Sequence, residues 1–150
     1  MSDAASSDPK AFFTADHHNC DELWSKVEQA VDEGKQDEAR ALWQEFEKSI
    51  RRHFAMEEEQ LFPAIEDAMN MHGGGPTEVM RMEHRQMRAV LDQMAESVAA
   101  GDLQGMADHG DTLLMLTQQH NVKEEGILYP MASQSLGAQW QELAARLGSY

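Results

Sequence analysis

The chain has 150 residues, 27 acidic against 12 basic side chains, and a formal net charge of −15. Nucleic acid and anionic membrane both call for a positive surface, so neither is expected as a partner. One cysteine, Cys20, rules out an internal disulfide, no apolar run approaches the ~20 residues that span a bilayer, and the N-terminus lacks the basic-then-apolar order of a signal peptide. A single cytoplasmic domain is the expectation.

Residues 1–10 are small, polar and charged, and are expected to be disordered. Phe13, His17, Cys20, Trp24, Val27 and Val31 then recur at helical spacing, the inward stripe of an amphipathic first helix that ends near Gly34. A second helix is expected from about Asp37 as N-cap, with Leu42, Phe46, Ser49, His53, Glu57, Gln60 and Ala64 on one stripe. Pro63 should kink it or end its regular hydrogen bonding. The run Asn70 to Pro76 holds three glycines and breaks the pattern, with Pro76 placed to open the third helix. That helix carries Met80, His84, Met87, Leu91, Met94 and Val98. After a turn at Gly101-Asp102, the fourth carries His109, Leu113, Leu116, His120, Glu124, Ile127 and Met131. Trp140, Leu143 and Leu147 mark a short C-terminal helix, within residues 133–150, expected to pack on one end of the bundle. No stretch alternates with period two. The fold class is therefore all-α, an up-down-up-down four-helix bundle with a short extra C-terminal helix, the bundle spanning 11–132.

The sequence repeats itself at an offset of 67 residues. His17 falls on His84, Cys20 on Met87, Trp24 on Leu91 and Gly34 on Gly101. His53-x3-Glu57-Glu58-x2-Leu61-Phe62-Pro63 falls on His120-x3-Glu124-Glu125-x2-Leu128-Tyr129-Pro130. Each half spaces its two histidines 36 residues apart. At ~1.5 Å per residue, out along one helix and back along the next, all four imidazoles arrive at one level of the bundle. Residues i and i+4 share a helix face, so each His-x3-Glu pair presents nitrogen and oxygen to the same side.

The expected metal ligands are His17, His53, Glu57, His84, His120 and Glu124. Two buried carboxylates among imidazoles need compensating cations, and nitrogen plus oxygen without a thiolate pair suits iron best, manganese or zinc less specifically. Glutamates on opposite hairpins can each bridge two metals. His17, not its neighbour His18, lies on the inward stripe. The order differs from the Glu-x-x-His of the commoner di-iron bundles.

These residues resemble the hemerythrin-like (HHE cation-binding) family: a histidine near the start of the first helix, His-x3-Glu-Glu followed by Leu-aromatic-Pro, Glu-His in the third helix, and a second His-x3-Glu-Glu. The resemblance covers about residues 11–132. It implies a non-haem centre of two iron ions, oxo- or hydroxo-bridged, that binds or senses dioxygen, nitric oxide or iron and redox state. The alternative is a di-iron enzyme reducing peroxide or nitric oxide. The expected partner is a small diatomic or peroxide, and the expected state a monomer or weak homodimer. Oxygen-carrying members have His-x3-His on the third helix, where this chain has His84 and Arg88, so the chain looks more like the sensor and stress-response members. Their last carboxylate lies five residues after its histidine, which here is Glu125; helical geometry and the repeat favour Glu124.

The remaining candidates have plainer readings. His72 is expected to be exposed, and His109 to be a hydrogen-bonded histidine in the far core. Cys20 reads as a small core residue or as a redox-active thiol beside the metals. Gln60 is a candidate hydrogen-bond donor to a bound diatomic, while Glu58, Glu59 and Glu125 read as a solvated acidic face.

Overall fold

In a computed structural model that describes residues 8–150, α1 (Pro9–Asp32) starts where its own sequence caps it. The backbone N–H of Ala11 donates to Asp8 Oδ1 at 2.7 Å, and Pro9 fills the first turn, where its missing N–H costs nothing. The expected disorder lies outside the described residues for 1–7, while Pro9 and Lys10 are already helical. α2 (Gln36–Met56) has Lys35 at its N-cap, so Asp37 sits in the first turn and does not cap it. The turn between α1 and α2 and its repeat at Gly101 are built alike. Gly34 (φ 72°) and Gly101 (φ 80°) take the left-handed conformation, and the next N–H reaches back to Ala30 in one and Ser97 in the other.

After α2 the chain widens into a π-helical turn, Glu57–Leu61, before α3 (Phe62–Met69). The Phe62 N–H reaches Glu57 O, an i to i+5 bond. α4 (Pro76–Ala99) and α5 (Leu103–Lys123) form the second hairpin. A second π turn, Glu124–Leu128, follows with the same bond from Tyr129 to Glu124, then α6 (Tyr129–Leu136) and α7 (Gln139–Leu147). Every described element is helical. Regular α-helical hydrogen bonding thus gives way just ahead of Pro63, while the chain stays helical through the proline itself. A proline ring needs room against the carbonyl four residues back, and the wide turn just ahead of it supplies that room.

The π turns reset the buried face. From their last residues onward Leu61, Phe62 and Ile65, and Leu128, Tyr129 and Ala132, are buried, while Gln60 and Ala64 are half-buried and Ile127 is 58% exposed. Gln60 instead accepts from Arg146 and donates to Tyr150. In α5 the inward position falls on Gly110, not on His109, which is half-buried. A Cβ on Gly110 would lie 2.1 Å from the Trp24 ring, so the indole occupies the space a side chain would need.

α1 packs on α2 and α4 on α5, and α1–α5 and α2–α4 contacts join the hairpins. The core is two apolar clusters. One holds Trp24, Trp43, Phe46, Leu91, Met94 and Leu113; the other holds Phe13, Phe62, Tyr129, Trp140, Leu143 and Leu147. Along α1, Phe13 belongs to the second cluster and Cys20 to the first; along α4, Met80 and Met87 divide the same way. His17 and His84 lie between these pairs, in a polar layer across an otherwise apolar interior.

Candidate metal centre

His17, His53, Glu57, His84, His120 and Glu124 are all at most 4% exposed. They fall into two groups whose ligand atoms lie within 4.8 Å of one another: His17 and His53, or His84 and His120, each with both Glu57 and Glu124. The two imidazole pairs are near copies, with ring centroids 4.7 and 4.8 Å apart. Glu57 lies 3.3 Å from His53 Nε2 and, through its other oxygen, 3.1 Å from His84 Nε2. Glu124 lies 3.0 Å from His17 Nε2 and 3.1 Å from His120 Nε2. Each carboxylate thus faces one histidine of either group. His18 is exposed and takes no part.

Each of the four buried histidines is held from behind by an acid. His17 Nδ1 donates to Glu125 (2.7 Å), His53 Nδ1 to Asp16 (2.8 Å), His84 Nδ1 to Glu58 (2.6 Å) and His120 Nδ1 to Glu83 (2.8 Å). A proton on Nδ1 leaves the Nε2 of a neutral ring with a lone pair aimed inward, the arrangement that prepares imidazole for a metal. Glu58 and Glu125 are accordingly not a solvated face: they are partly buried and orient imidazoles of the opposite half. Only Glu59 of the three is exposed. The repeat carries these acids too, Asp16 on Glu83 and Glu58 on Glu125, which is the signal that could have identified them.

The donor set fits a cation. His84 Nε2 and His120 Nε2 face each other at 3.2 Å, and with both Nδ1 protons donated outward two neutral rings have no hydrogen to share there. His53 Nε2, Glu57 Oε1 and Glu124 Oε2 are buried with no hydrogen-bond partner. Burial alone would lower the His53 pKa, but the charges of Glu57 and Asp16 and the hydrogen bonds to them raise it well above its ordinary value. His120 is raised for the same kind of reason, with Glu124 foremost against desolvation. Glu57 is pushed up by burial, yet His53 and His84 bring it well below the usual carboxylate range. Without metal, protons do the work of cations.

Two further residues complete the surroundings. Burial pushes the Cys20 thiol up to about 12, so it stays protonated and acts as a core residue, not as a reactive thiolate. Tyr129, fully buried, places its hydroxyl against Glu57, Glu124 (2.8 Å) and His17 Nε2 (3.0 Å). Sequence reasoning passed over it. The clue was that Phe62 and Tyr129, equivalent in the repeat, differ by one hydroxyl. His72 lies in its loop, 59% exposed, as expected.

The family model for the hemerythrin HHE cation-binding domain matches residues 8–132. No curated protein and no solved structure matches the chain. The match spans both hairpins, both π turns and every residue of the buried His/Glu layer. The chain belongs to the hemerythrin HHE cation-binding family.

Proposed function

We propose that the chain is an up-down-up-down four-helix bundle, closed at one end by α7, that holds two iron ions and binds or senses a small diatomic ligand. His17, His53, Glu57, His84, His120 and Glu124 are the ligands, with both glutamates shared. The observation that carries this reading is the set of four imidazoles, each with Nδ1 tied to a carboxylate and Nε2 turned to the same two glutamates. Iron bound there supplies exchangeable coordination positions and a ferrous–ferric couple.

The surrounding residues set the conditions for that chemistry. Asp16, Glu58, Glu83 and Glu125 fix each ring's tautomer and make it a stronger donor. Phe54 stacks on His84 at 4.3 Å and Phe13 meets His53 edge-on at 5.8 Å, so the rings are bedded in apolar surface that excludes water. Arg88 stands where oxygen carriers have a further histidine. Its guanidinium donates to Glu58 at 2.6 Å and lies over the Phe54 ring. It is committed to bracing His84, which favours a sensing or binding role over reversible oxygen carriage.

The test is iron analysis of aerobically purified protein with stopped-flow spectra on adding O₂, NO and H₂O₂ to the reduced form. About two irons per chain and a stable NO complex are expected, with oxidation in O₂ and no long-lived oxygen adduct. A metal content near one would refute the shared-glutamate pair. Sustained turnover of peroxide or NO would make the chain an enzyme instead.

A further inference from the structure

The repeat that builds the centre is broken at one position facing it. Phe62 of the first half packs its ring 5.7 Å from His84. Its counterpart, Tyr129, places a hydroxyl among Glu57 Oε2, Glu124 Oε1 and His17 Nε2. A phenol has one proton to give. His17 already donates through Nδ1 to Glu125, so its Nε2 is an acceptor, and the two carboxylates are acceptors as well. One proton for three acceptors leaves lone pairs of four atoms pointed at one another, fully buried, a shortage that a cation between them removes.

A second asymmetry has the same direction. Behind the His84 and His120 pair, Glu58 is paired with Arg88 and Glu83 with Lys123. Behind the His17 and His53 pair, neither Glu125 nor Asp16 has a Lys or Arg partner among the described residues. The half of the centre that holds the phenol is thus also the half whose supporting acids have no Lys or Arg beside them.

We infer that the Tyr129 phenol oxygen is a further metal ligand, specific to the ion held by His17 and His53, and that the two metal positions are unequal, the Tyr129 position being selective for a trivalent ion. This rests on the dinuclear reading above. On ligation the O–H bond breaks, an oxygen–metal bond forms, and the proton leaves to solvent; no electron is transferred. Phenolate, a hard anionic oxygen, suits ferric over ferrous iron.

The experiment loads metal-free chain with ferrous iron under anaerobic conditions, oxidises it, counts the metal, and records resonance Raman spectra in the visible charge-transfer band. Wild type is expected to show enhanced phenolate ring modes. Tyr129→Phe should lose them and release one of its two ferric ions to a chelator more readily, with helix content unchanged, since Phe62 shows that a phenyl ring fits the equivalent position. Tyr150 is the chain's other tyrosine and is partly exposed; Tyr150→Phe should keep the modes. Wild type with about two irons and no phenolate modes would overturn the assignment while leaving the dinuclear reading intact. Failure to take up iron would overturn both, and the metal count tells the cases apart.

Discussion

Metal should remove this protein's loss of stability above pH 6.5. In the metal-free chain His53 and His120 have raised pKa values and Glu57, Glu58 and Glu83 lowered ones. A raised histidine contributes stability fully below its ordinary 6.5 and loses it as pH climbs through the folded value. A lowered carboxylate contributes above its ordinary 4.5 and loses it as pH falls. Metal-free chain is therefore most stable between these two values and weakens above pH 6.5. Metal bound at Nε2 displaces the protons of His53 and His120. Above pH 6.5 the loaded fold and the unfolded chain then both hold few histidine protons, and loaded stability is flat. Below it the unfolded histidines take up protons the loaded fold cannot, and stability falls. The margin between loaded and metal-free protein should thus widen with pH. Each displaced proton contributes about 1.4 kcal/mol per pH unit, so two contribute about 3 kcal/mol per unit in the window just above pH 6.5. Chemical denaturation with and without iron at half-unit steps from pH 5 to 8.5, at fixed free metal, measures this. A margin that stays constant, or metal-free protein that gains stability from pH 6.5 to 8, would refute protons and metal competing for the same nitrogens.

Other substitutions probe the geometry directly. Gly110→Ala forces a Cβ into the Trp24 ring; overpacking should outweigh the helix-propensity gain and leave a net loss of about 1–2 kcal/mol in urea unfolding, and a gain would show that the indole moves freely. His17→Ala should lose at least one iron while His18→Ala keeps both, and the reverse would place α1 about a third of a turn from the register described. Glu58→Gln should weaken metal binding about 10- to 100-fold by chelator competition. Glu59→Gln, on an exposed neighbour, should leave binding unchanged, and equal effects of the two would mean that bulk negative charge, not the bond to His84 Nδ1, is what matters.

How much was legible before the fold was known differs by element. The 67-residue repeat, the equal 36-residue spacing of the histidine pairs and the i, i+4 pairing of His53 with Glu57 and His120 with Glu124 are statements about helical geometry, which local sequence dictates almost alone. They sufficed to name the six residues of the buried layer and to prefer Glu124 to Glu125 and His17 to His18 for a place in it. The apolar stripes of α1 and α4 were equally readable because both are regular helices from Pro9 to Asp32 and from Pro76 to Ala99.

What the tertiary structure alone decided begins at Glu57 and Glu124. The π turns there insert an extra residue per turn, so a stripe extrapolated at 3.6 residues per turn points Gln60 and Ile127 inward, where the fold places Leu61 and Leu128. The polar and apolar pattern marks that slip only in the first half, where polar Gln60 stands beside apolar Leu61; Ile127 and Leu128 are both apolar. The same rotation swings Glu58 and Glu125 toward histidines in the opposite half and brings the Tyr129 hydroxyl onto Glu57 and Glu124. Glu58 and His84 lie 26 residues apart in sequence, Glu125 and His17 lie 108 apart, and a partner chosen across that distance depends on how the two hairpins dock. Periodicity along a helix says which side chains face inward; which of them meet is settled by packing between helices.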